Sequence, residues 1–110
     1  MTMLSPRVLL LDEPTSNLDI RYQYEILDTI RHLTRSENLA VMLVLHQINL
    51  AASVADVMAL LNSGGTTRAC GPPAHVMTQE NLEAVYQTPL TVAPHPQSGR
   101  PQARSAWVFE

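Results

Sequence analysis

A single cysteine, Cys70, stands among 110 residues, so no disulfide can form within the chain, and a buried, unreactive thiol is expected there. No apolar run approaches the roughly 18 residues that a transmembrane helix needs. The N-terminus lacks a signal-peptide pattern. A cytosolic location is therefore expected, with no direct insertion into a membrane. Seven Lys and Arg against ten Asp and Glu leave a formal net charge of −3. The basic residues are scattered, which provides no electrostatic footprint for nucleic acid. Internal repeats, zinc-ligand spacings and amphipathic membrane helices are absent. What remains is a chain with 45% hydrophobic residues, the composition of one ordinary soluble domain.

The chemistry concentrates in Arg7 to Asp19, RVLLLDEPTSNLD. Val8 to Leu11 form an unbroken aliphatic run, too short for a typical helix and stopped by Pro14, which predicts a strand buried on both faces. Asp12 and Glu13 leave its C-terminal end, where open parallel sheets bind their ligands. Successive side chains on a strand point to opposite faces, so the two acids are expected to take different jobs. An acidic pair before a proline can also be no more than the start of a solvated turn.

Ile20 to Arg35 follows, with Tyr22, Ile26, Leu27, Ile30 and Leu33 at helical spacing. Asp19 directly precedes it and is a candidate N-cap. Tyr22 and Tyr24 are assigned to core or subunit packing. After the polar break Ser36 to Asn38, the run LAVMLVL from Leu39 to Leu45 predicts a second strand, and His46 follows at once. Strand, helix and strand over this interval suit one βαβ unit. A right-handed crossover brings His46 to the sheet edge that carries Asp12 and Glu13.

The run DEPTSNLD resembles the Walker B motif and D-loop of the ATP-binding cassette (ABC) ATPases, and His46 resembles their switch histidine. The resemblance implies a truncated P-loop NTPase core of α/β class, with parallel strands and flanking helices, plus a C-terminal hairpin and a short helix. It implies ATP and Mg²⁺ as ligands, Asp12 as the magnesium carboxylate, Glu13 as the general base and His46 as the residue that contacts the γ-phosphate and the catalytic Glu. Asp19 would lie near the interface of two ATPase subunits and help couple their nucleotide sites, a role that stands beside helix capping. One position departs from the pattern: the family usually has Asp after this His, where this chain has Gln47. Gln retains hydrogen bonding but loses a charge beside the imidazole.

Downstream, Val57 to Leu61 predicts a strand, Ser63-Gly64-Gly65 a turn and Thr66 to Cys70 a return strand, ended by Gly71-Pro72-Pro73. Thr78 is positioned to cap a helix over Gln79 to Gln87 with Leu82, Val85 and Tyr86 on one face. The proline-containing tail from Ala93 to Gln102 is expected to lie extended on the surface. His32, His75 and His95 are expected to be solvated or locally hydrogen-bonded. Residues 1–62 would form the catalytic core and 63–110 the hairpin, helix and tail.

The segment from Ser53 to Thr78 is similar to importer-type ABC ATPases, and the tail is similar to their iron-siderophore and haem branch. Partners implied are a second ATPase subunit and membrane permease subunits, which would hold the protein at the inner face of the membrane. No G-x-x-x-x-G-K-[ST] phosphate loop occurs in the 110 residues, and no LSGGQ-like signature does. The resemblance therefore covers about the C-terminal half of the family's nucleotide-binding domain, with Met1 to Ser5 in place of the end of its signature helix. Two alternatives to import remain at this stage: a non-catalytic remnant or interaction module, and an ABC-type ATPase unconnected with transport.

Overall fold

The computed structural model describes residues 7–106, so Met1 to Ser5 lie outside the described residues. The chain divides after Gln47 into two compact units.

The first unit is a βαβ arrangement. Strand β1 (Arg7–Asp12) and strand β2 (Leu39–Val44) pair in parallel, with Leu10 opposite Met42 and Asp12 opposite Val44. Helix α1 (Ile20–Ser36) connects them and packs on one face of β2. The helix buries Gln23, Leu27 and Ile30, positions spaced four and three apart on one stripe. Tyr22, Tyr24 and Leu33 lie outside that stripe and are exposed, so core packing does not account for the two tyrosines.

Burial of this sheet is one-sided, contrary to the expectation from its continuous apolar runs. Along β2, Leu39, Val41 and Leu43 are half-buried while Ala40, Met42 and Val44 are exposed. Val8 and Leu10 of β1 share the open face, at 72% and 63% exposure. The reason is layer count: α1 covers one face, and among the described residues of this unit no element covers the other.

The second unit closes on itself. Helix α2 (Ile48–Val54) leads to an antiparallel hairpin of β3 (Met58–Leu61) and β4 (Thr67–Gly71). Its turn is held by Asn62, whose backbone exchanges with Thr66 and Gly65 and whose side-chain amide donates to Thr66 Oγ1 at 3.0 Å. Gly65 takes φ +88°, a conformation that L side chains rarely adopt. Then come α3 (Pro73–Val76) and α4 (Gln79–Tyr86), the latter capped as expected by Thr78, whose hydroxyl accepts from the Asn81 amide. Ala52, Met58, Leu60, Val76, Met77 and Leu82 form the core.

The C-terminal tail is not merely an extended surface segment. Strands β5 (Leu90–Pro94) and β6 (Pro101–Ser105) form an antiparallel hairpin. Its loop is organised by His95, whose Nδ1 accepts from the amides of Gln97 and Ser98. Two polar contacts fasten it to α2. Asn49 uses both ends of its amide on the backbone of Ala103, at 3.0 and 2.8 Å, as a neighbouring strand would. The Arg100 guanidinium donates to the Ala52 and Ala55 carbonyls, which the end of α2 leaves without intrahelical partners. Proline content indicated extension but not pairing. Cys70 also differs from expectation: it is exposed, because it sits opposite exposed Ala59 on the outer face of the β3–β4 hairpin.

Candidate functional site

Parallel pairing puts the C-terminal ends of β1 and β2 side by side, which determines what the following residues can meet. Beyond the Asp12–Val44 pair, the Glu13 amide donates to the Val44 carbonyl at 2.9 Å and extends the ladder by one bond. Glu13 then takes φ +51°. This left-handed conformation is uncommon for a residue with a side chain and typically costs about 1–3 kcal/mol.

The bend directs the Glu13 carboxylate to the loop after β2. Its Oε1 accepts a hydrogen bond from the His46 backbone amide. The same oxygen lies 3.5 Å from His46 Nε2, with the Glu13 side chain 24% and the His46 side chain 85% exposed. One carboxylate oxygen thus faces both the backbone and the ring of His46. A carboxylate has about four acceptor positions, so Glu13 retains capacity to accept a hydrogen bond from water.

Asp12 is separated from this contact. It ends β1 on the open face shared by Val8 and Leu10 and is exposed. The two acids do differ in surroundings, and the left-handed turn at Glu13 contributes to this beside strand alternation. No group of three or more His, Cys, Asp or Glu residues is clustered among the described residues. A single exposed carboxylate still fits Mg²⁺, which characteristically takes one or two protein carboxylates and completes its shell with water and substrate phosphates.

The loop from Glu13 to Asp19 is two successive turns. Ser16 donates to the Glu13 carbonyl at 3.2 Å and Leu18 to the Thr15 carbonyl at 3.3 Å. Thr15 is buried at 3% exposure, and Asn17 accommodates φ +64°. Asp19 occupies the N-cap position of α1 with extended dihedrals, yet its side chain makes no capping hydrogen bond. Position and conformation match the capping expectation; the carboxylate contact does not form. The loop is instead anchored by Gln23, whose Nε2 donates to the Leu18 carbonyl at 3.1 Å. Sequence reasoning passed over Gln23. Its signal was a polar residue on the buried stripe, four before Leu27 and seven before Ile30.

His32 meets its own helix, through the Asp28 carbonyl at 2.8 Å and the Asp28 carboxylate at 3.6 Å. Among the described residues no helix is long and apolar enough to cross a membrane.

No protein-family profile matches the chain. Individual relatives do. It is 44% identical over 91 residues to the hemin import ATP-binding protein HmuV of Bordetella avium, covering 83% of this chain and 34% of that protein. Against the protein of the same name from Streptomyces coelicolor, identity is 48% over 92 residues, 84% of this chain and 32% of the relative. The counterpart from Plesiomonas shigelloides is 40% identical over 99 residues, 90% of this chain and 37% of the relative. Among solved structures, a metal-chelate type ABC transporter in an inward-facing conformation superposes with a TM-score of 0.77 at 30% identity, over 92% of this chain and 41% of that one. The chain thus spans about a third of the length of the curated relatives it matches.

Proposed function

We propose that this chain, a relative of the ATP-binding subunits of ABC importers over about a third of their length, carries the hydrolytic segment of an ATPase that drives import of haem or another iron chelate. The observation that carries the reading is the Glu13–His46 contact at the paired ends of two parallel strands. In phosphoryl transfer the protein mainly positions the nucleophile and balances charge. Glu13, held by the His46 amide, would orient water and receive its proton. The exposed His46 ring, beside that carboxylate, would contact the γ-phosphate.

Asp12 is the residue that would hold Mg²⁺, and the ion would supply neutralisation of phosphate charge. Asp19, on the adjoining loop, faces the coupling role with a second ATPase subunit. Permease subunits would then place the assembly at the inner face of the membrane. The names of the relatives, haem import and metal-chelate transport, support this choice of cargo and partners.

A version of the protein joined to a segment with a phosphate loop tests the reading. It should hydrolyse ATP in a Mg²⁺-dependent manner, and His46→Ala should suppress turnover. The 110 residues contain no phosphate-loop motif, so alone they should show neither saturable ATP binding in the micromolar range nor turnover. Failure of the joined version to hydrolyse ATP, with folding verified, would contradict the proposal.

A further inference from the structure

The loop that carries Asp19 is fastened in an unusual way, and the fastening has a consequence for Asp19 itself. An Asp at an N-cap ordinarily accepts a hydrogen bond from the second or third amide of its helix. In this chain Thr78 does this for α4, accepting from the Asn81 amide. Asp19 has the N-cap position and extended dihedrals for α1, but makes no such bond. The same helix end is instead secured from its buried side. Gln23, 9% exposed within the apolar stripe of Leu27 and Ile30, donates from Nε2 to the Leu18 carbonyl, the peptide oxygen that immediately precedes Asp19.

Burying an amide on an apolar stripe is costly unless it is hydrogen-bonded. Here the bond is to the backbone five residues upstream, so the side chain holds the loop rather than its own helix. Thr15, buried at 3%, anchors the other end of the same short loop, and the Leu18 amide donates back to the Thr15 carbonyl. Leu18 is therefore held through both its amide and its carbonyl.

We infer that Gln23 is a positioning residue for the D-loop: its buried amide fixes the Leu18 peptide, while the Asp19 carboxylate, which makes no capping bond, stays available to a partner across a subunit interface. The last step rests on the proposed ATPase reading; the fixing of the loop does not.

Two measurements on the full 110-residue chain test it by NMR. In the unaltered chain, a long-range coupling experiment should connect the Gln23 side-chain amide to the Leu18 carbonyl carbon, and that amide should exchange more slowly than those of exposed Gln residues. Substitution Gln23→Met keeps length and burial while removing the donor. It should raise exchange at the Leu18 amide about tenfold relative to the amide of Ile30 on the same helix. A merely structural role would accelerate Leu18 and Ile30 together. Absence of the coupling together with fast side-chain exchange, or an equal change at both amides, would overturn the proposal. The coupling requires no variant to fold, and neither readout requires ATP, so failure of the ATPase reading would leave these results unchanged.

Discussion

The two units solve opposite problems with similar materials. Residues 7–47 hold every candidate catalytic group, yet among the described residues their buried apolar side chains are only Leu27 and Ile30, while Val8, Leu10 and Met42 stand more than 60% exposed on an open sheet face. Residues 48–106 hold no candidate catalytic group, yet bury Ala52, Val76 and Leu82 completely and close their last hairpin with Asn49 and Arg100. The candidate groups sit on the less enclosed unit because strand ends and tight turns present side chains outward. The other unit gains its order from a closed core and satisfied backbone.

The largest expected separation between the units concerns rate. In a version joined to a phosphate loop, Glu13→Gln should lower ATP hydrolysis about 10²- to 10⁴-fold. Thermal unfolding of the second unit should stay in place. Normal turnover in steady-state phosphate release would refute the base role of Glu13.

Matched leucines sharpen the contrast in stability. Leu82→Ala removes a fully buried side chain and should cost about 2–5 kcal/mol. Leu10→Ala, at an exposed position, should change stability by no more than about 0.5 kcal/mol. Denaturant titrations of both variants would break the comparison if the two costs were equal.

The polar fastening of the last hairpin comes next. Arg100→Ala removes two charge-assisted bonds to the end of α2 and should destabilise the second unit by about 1–2 kcal/mol, reduced from the buried value by partial solvent exposure. Calorimetry would detect it as a lower transition temperature. The smallest effect separates two helix caps. Thr78→Ala should cost about 1 kcal/mol, because its hydroxyl receives the Asn81 amide. Asp19→Ala should cost less, because its side chain makes no capping bond. A greater loss for Asp19 in parallel chemical denaturation would show that its carboxylate serves the helix after all.

Both units were legible in the sequence to different depths. The run from Val8, the stripe of Leu27 and Ile30, and the run from Leu39 located β1, α1 and β2 to within about two residues, since each period is set by local sterics. The meeting of Glu13 and His46 was also legible, because parallel strands must end on one edge. Thr78 announced its own helix. One-sided burial was not legible, since an apolar run records what its faces require and not which of them is covered. The fastening of the β5–β6 hairpin to α2 escaped because it depends on Asn49 and Arg100 reaching across about fifty residues, a contact without local periodicity. Gln23 escaped for a related reason: its partner is a backbone carbonyl, which carries no residue type.

Residue-by-residue hydrogen exchange on the 110-residue chain tests most directly whether the candidate catalytic groups stand on the less enclosed unit. Exchange in paired strands reports local opening, which ranges from near zero to the full stability of a domain. The amides of β2 from Leu39 to Val44 should exchange at least about tenfold faster than those of β3 from Met58 to Leu61, corresponding to about 1.4 kcal/mol of difference in opening. Equal protection, or slower exchange in β2, would contradict the account and show that the open apolar face is closed in solution.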